Sequence, residues 1–84
     1  MAENIPTWLM KRYAKMWKKF HDRPFSYEDV FSLLNEKGAI SVILSELRKS
    51  GWLEAKLNPE DTRKRIYILK RPDKVINDII NSLN

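Results

Sequence analysis

A mainly helical fold carrying one small β-hairpin is what this chain predicts, and three observations predict it. Apolar residues recur at helical spacing through the first half, the period drops to about two after Gly51, and helical spacing returns after Pro72. Between these stretches stand residues that stop and restart such elements: Arg23-Pro24, Gly38, Gly51, Asn58-Pro59 and Pro72.

Thr7 is placed to cap a first helix that runs to about Phe20. At about 100° per residue, Leu9, Met10, Tyr13, Met16, Trp17 and Phe20 share one side, and Lys11, Arg12, Lys15, Lys18 and Lys19 share the other. Arg23-Pro24 ends it, because proline drives the residue before it out of the helical region. Phe25 reads as a short extended residue. Ser26 and Asp29 fit a capping box with Asp in place of the usual Glu. They open a second helix from Tyr27 to about Asn35 that buries Val30, Phe31 and Leu34. Glu36-Lys37-Gly38 forms the turn. A third helix runs from about Ala39 to Ser50 with Ile40, Ile43, Leu44 and Leu47 inward, and Gly51 ends it in the left-handed conformation.

Trp52 to Leu57 reads as a strand, Asn58-Pro59-Glu60-Asp61 as a tight turn, and Arg65 to Leu69 as the returning strand. Tyr67 and Leu69 fall on one face of it, Ile66 and Ile68 on the other. Pro72 suits the first turn of a last helix, where its missing N–H is no loss. Val75, Ile76, Ile79, Ile80 and Leu83 form that helix's apolar stripe, and Asn77, Asp78, Asn81 and Ser82 its wet side. Helix, short strand, helix, helix, hairpin, helix is the order of a winged helix-turn-helix: a three-helix core, a two-stranded wing and an extra C-terminal helix.

Eighty-four residues suit one domain, with its core over about 7–71 and the C-terminal helix over about 72–83. A 43% hydrophobic share supports a packed core rather than a disordered tail. The absence of Cys removes disulfides, Cys metal sites and thiol catalysis, and it suits a reducing cytoplasm. Apolar runs are too short to span a membrane, and Met1-Ala2-Glu3-Asn4 lacks the order of a targeting segment, so no membrane partner is expected. Catalysis has no visible machinery, since there is no Gly-rich phosphate loop, carboxylate pair or nucleophile with a base at useful spacing. His21 has no second ligand near it in sequence, so neither a metal nor any other cofactor is expected. Trp8, Trp17 and Trp52 read as core or interface anchors rather than base-stacking platforms.

The formal net charge is +5, and its distribution says more than its size. Lys11, Arg12, Lys15, Lys18, Lys19 and Arg23 face only Asp22 in their segment. From Arg48 to Arg71, eight bases stand against Glu54, Glu60 and Asp61. Concentrated excess of this kind favours polyanions.

At the third helix and hairpin, ISVILSELRKSGWLEAKLNPEDTRKRIYILK resembles the recognition helix and wing of MarR-type winged-helix regulators. The matching residues are Ser41 near the helix start, Leu44 and Leu47 three apart, then Gly51, Trp52 and Leu53. The wing matches through the turn Asn58-Pro59-Glu60, the Asp61-Thr62-Arg63 motif and Leu69. Spacing from Gly51 to Asp61 and Arg63 needs no gap, and the resemblance covers residues 38–70. The chain departs from the family at Lys70, where Thr is common, and in having one moderate helix at each end rather than long flanking helices.

The resemblance and the concentrated charge point to binding of double-stranded DNA by a transcriptional regulator or chromatin-associated protein. The apolar stripes of the first and last helices exceed what a three-helix core with a wing needs, so a homodimer through the terminal helices is expected. Expected DNA contacts are Ser41, Val42, Ser45, Arg48 and Lys49 on the third helix and Arg63, Lys64 and Arg65 on the wing. The helix start carries no acid, leaving its positive end open to a phosphate. Yet it offers two Ser and Val42 where base reading usually needs Arg, Lys, Asn or Gln, so low sequence specificity is expected. Asp61 is expected to orient the wing, since a carboxylate facing phosphates is repelled. The competing reading is a winged helix used as a protein-binding module, for example within an antitoxin or a larger complex.

Overall fold

The protein's computed structural model describes residues 2–36 and 38–81, with the backbone but not the side chain of Thr62. Met1, Lys37, Ser82 and Leu83, given places above, lie outside the described residues. Along the chain follow α1 (Thr7–Phe20), α2 (Tyr27–Leu34), α3 (Ile40–Lys49), β1 (Leu53–Asn58), β2 (Asp61–Leu69) and α4 (Pro72–Asn81). This is the winged helix-turn-helix order that the sequence predicts.

Pro6, not Thr7, caps α1. Its carbonyl accepts from the N–H groups of Leu9 and Met10 at 3.1 and 3.0 Å, and no side chain caps the end. Proline's fixed φ already supplies the extended entry, so Thr7 becomes the first helical residue. The apolar side of α1 is narrower than its pattern suggests. Leu9, Tyr13 and Met16 are buried and Trp17 and Phe20 half-buried, but Met10 lies on the shoulder of the stripe, 43% exposed. Trp8 is equally exposed and carries the Arg12 guanidinium 5.9 Å from its ring centroid. Of the three tryptophans only Trp52 is fully in the core. Its indole N–H donates to the Glu3 carbonyl at 2.6 Å, and Tyr13 meets its ring edge-on at 4.8 Å.

The capping box of α2 closes as expected. Ser26 Oγ accepts from the Asp29 N–H at 3.2 Å, and Asp29 Oδ2 accepts from the Ser26 N–H at 2.9 Å. Asn35 ends this helix one residue early in the left-handed conformation at φ 51°, which asparagine tolerates better than most residues. Gly51 ends α3 at φ 79°. There the Trp52 N–H reaches the Leu47 carbonyl at 2.9 Å and the Gly51 N–H that of Arg48 at 3.2 Å, the paired bonds of a Schellman motif. Trp52 and Leu47, both buried, supply the apolar contact that accompanies it.

The hairpin is longer on its returning side than expected. β2 begins at Asp61, not Arg65, and Asn58 pairs with Asp61 across Pro59-Glu60. Register then shifts: Leu57 pairs with Arg65, so Thr62, Arg63 and Lys64 have no partners on β1 and bulge from the wing tip. Below the bulge, Leu53↔Leu69 and Ala55↔Tyr67 face the helices, as the alternation of Tyr67 and Leu69 predicts. Phe25, the expected extended residue, exchanges both backbone hydrogen bonds with Tyr67 at 2.9 and 2.8 Å. Its ring stacks on Phe20 at 4.4 Å, tying the end of α1 to the wing.

One apolar core joins α1, α2, α3 and the inner hairpin face, with Ile40, Ile43 and Leu47 at its centre. The inner side chains of α1 and α3 meet there, so their outer faces point away from each other. Helix α4 contributes little: only Val75 is buried and Ile79 half-buried, while Ile76 and Ile80 are 52% and 56% exposed.

Candidate nucleic-acid interface

The register of β2 puts Arg65 on the same face as Tyr67 and Leu69, the face turned towards α3. The Schellman turn fixes the angle between α3 and β1, and the bridge at Phe25 fixes α2 against β2. Together these bring Ser41, Ser45, Arg48 and Arg65 around one concavity of about 210 Å³, completed by Tyr27, Leu44 and Tyr67. Among the described residues no carboxylate lines it. Among the described residues neither Arg48 nor Arg65 is held in an ion pair. Their charge is therefore available to an anion.

The tip bases are placed differently. Arg63, Lys64 and Arg65 line the wing side of a second groove, of about 510 Å³, whose other wall is Pro24 to Asp29 at the start of α2. Glu28 and Asp29 stand on that wall. This makes the groove floor less suited to phosphate than the rim, where Arg63 and Lys64 point into solvent on the bulge. Asp61 behaves as expected of an orienting group: its Oδ1 accepts from the backbone N–H of Arg63 at 3.1 Å. It also lies 3.4 Å from the Arg63 Nε, but with Arg63 90% exposed such a contact is weak and readily exchanged for another anion.

On α3, Val42 is half exposed and Lys49 more so, and neither lines the concavity. Lys49 leans on Glu46 at 3.9 Å. Tyr27 is the residue that sequence reasoning missed. Read alone it is the first residue of α2, and only the fold sets its 39%-exposed ring beside Ser41 and Arg65.

A two-stranded wing, the helix α3 packed beside it and a cationic concavity between them belong to a winged helix-turn-helix fold. Solved structures share this fold. The multiple antibiotic resistance repressor MarR superposes with a TM-score of 0.64 at 20% identity, over 89% of this chain and 51% of MarR. Reduced AbfR bound to DNA gives 0.63 at 19% identity, over 95% and 60% of the two chains. A mutant of S. aureus MepR bound to an oligodeoxyribonucleotide gives 0.66 at 15% identity, over 95% and 67%. In sequence, the chain is 35% identical over 68 residues to the type I restriction enzyme MjaVII methylase subunit of Methanocaldococcus jannaschii. That match covers 76% of this chain and 12% of the methylase subunit, and the chain spans about half the length of MarR. No protein-family model matches the chain.

Proposed function

We propose that the chain binds double-stranded DNA as a non-enzymatic regulator of low sequence specificity, laying α3 and the wing on one duplex. The observation that carries this reading is the acid-free concavity where Arg48 and Arg65 stand beside Ser41, Ser45 and Tyr27. Val42 and Lys49 extend the contact along α3, and Arg63 and Lys64 extend it to phosphates or the minor groove at the wing tip. Two of the similar solved structures hold DNA or an oligodeoxyribonucleotide, which supports the reading. Low specificity follows from the short hydroxyls of Ser41 and Ser45, which lack the bidentate reach of Arg, Asn or Gln on a base edge. A homodimer through the terminal helices completes the proposal.

The test is fluorescence anisotropy on unrelated duplexes at several salt concentrations. With about four phosphates neutralised per chain, log K should fall against log salt with a slope near about −3.5. Arg63→Ala with Lys64→Ala should weaken all duplexes alike, because phosphate contacts carry little base information, whereas Lys15→Ala should change little. No anisotropy change at low salt and micromolar protein sinks the reading.

The methylase relative favours a second reading, in which the chain is a module docking within a DNA-modification assembly. It predicts a protein partner whose binding survives Arg48→Ala with Arg65→Ala, substitutions that abolish duplex binding on the first reading.

A further inference from the structure

The cations of α1 are left unused by the site just described. Helix α1 holds Lys11, Arg12, Lys15, Lys18 and Lys19 and not one Asp or Glu. Arg12 is engaged, reaching Glu36 at 2.8 Å and the Trp8 carbonyl at 3.0 Å. Among the described residues, no ion pair holds Lys11, Lys15, Lys18 or Lys19, and all four are exposed. A helix face built only for solubility mixes charges of both signs. This one sets Lys11 against Lys15 and Lys15 against Lys19 four residues apart, where like charges repel.

At about 100° per residue, Lys11, Lys15 and Lys18 fall opposite the buried side of α1 formed by Leu9, Tyr13 and Met16. The ridge therefore points out of the domain on a side other than that of Ser41, Ser45 and Arg48. A straight duplex laid against α3 and the wing would run along the side of Ser41, Ser45 and Arg48 and leave the ridge free. Most of the apolar side of α1 is committed to the core, and the exposed Trp8 and Met10 are too few to seat the helix in a bilayer, so the ridge meets its partner mainly by charge.

We propose that the Lys11-Lys15-Lys18 ridge is a second duplex-DNA contact, so that one chain holds two duplexes at once, one on α3 and the wing and one on α1. This rests on the reading of the first face as a DNA site.

The experiment mixes the full chain with two random-sequence duplexes, one labelled with a donor and one with an acceptor fluorophore. Energy transfer reports pairing of duplexes, and anisotropy of a single labelled duplex reports the first face. The wild-type chain should give transfer at low salt. Lys15→Ala with Lys18→Ala should abolish most of the transfer and change single-duplex affinity less than about twofold, since ridge contacts add only to the second duplex. Arg71→Ala with Lys74→Ala removes the same charge elsewhere and should leave transfer intact. Equal loss from both pairs overturns the proposal, since it means diffuse condensation. Transfer that persists in the ridge variant also overturns it, as does wild-type binding to one duplex without transfer. So does wild-type binding through these lysines to phosphatidylglycerol vesicles but not to a second duplex. No binding even to one duplex fails the DNA reading itself and takes the ridge proposal with it.

Discussion

Tyr13 couples three parts of the fold through one side chain. Its hydroxyl donates to the Lys70 carbonyl just beyond the wing, its ring meets Trp52, and it sits on the inner side of α1. Burial pushes its pKa up from 10 to about 12, and the Asp73 carboxylate adds to the rise. A raised folded value means that Tyr13 supports the fold fully below pH 10, and that this support is lost as pH climbs from 10 through about 12. Tyr13→Phe should therefore cost about 1 kcal/mol at neutral pH, where the Lys70 carbonyl loses its donor. Above pH 10 the gap to the wild type should narrow, because only the wild type must keep a buried hydroxyl from ionising. Urea midpoints of both proteins at neutral and alkaline pH check this, and a gap that stays constant would contradict it. His21 shows the opposite kind of residue effect: it leaves α1 at φ 55°, a conformation that L side chains rarely adopt, with its ring edge-on to Trp17 at 5.7 Å. No sequence pattern announced that.

At the scale of elements, local signals decide where helices begin and end, and the strongest of them is testable alone. Ser26→Ala removes the acceptor for the Asp29 N–H and should cost about 1 kcal/mol, read as a lower urea midpoint with an unchanged slope. A change below a few tenths would mean that packing of Phe25, rather than the cap, sets the start of α2. The apolar set of α3, the left-handed Gly51 and the single extended Phe25 were legible because each rests on neighbours in sequence. The start of β2 was not. Asp61, Thr62 and Arg63 look like turn residues, and only pairing of Asn58 with Asp61 across the hairpin draws them into the strand. The site was legible in the same uneven way. Basic wing residues and the outward side of α3 follow from spacing, whereas the meeting of Tyr27 with Arg65 depends on two backbone bonds between Phe25 and Tyr67, distant in sequence. The groove between the wing and the start of α2 escaped for the same reason, as did the presence of Glu28 and Asp29 on its far wall.

Across the whole molecule, α4 stands out for the apolar surface it leaves exposed. The helix is tied down at its inner edge. Val75 is buried, and Asp78 accepts from the Ala2 N–H at 3.1 Å and lies 3.7 Å from the Lys70 ammonium. The Ala2 hydrogen bond, with help from Lys70, holds the Asp78 carboxyl below the usual carboxylate range, so this tie is lost only as pH falls beneath that range. The outer edge has no such ties: Ile76 and Ile80 are more than half exposed on the same side of the helix. On the proposed DNA reading, a small wing and the short hydroxyls of Ser41 and Ser45 would hold a duplex weakly, whereas two linked copies would gain an effective concentration without new contacts. The proposed homodimer, formed through α4, would cover the isoleucines and supply that link. The prediction is a mass by light scattering of twice the 10.0 kDa chain at tens of micromolar, falling to one chain in Ile76→Asp with Ile80→Asp. These two sites serve better than Ile79, which is half-buried against the core, so that changing it mixes folding with assembly. The double variant should keep the wild-type thermal transition at low concentration, where both are monomers, and lose duplex affinity by tenfold or more. A wild type that already weighs one chain at tens of micromolar ends the dimer proposal. A double variant that unfolds places Ile76 and Ile80 in the monomer's own stability instead.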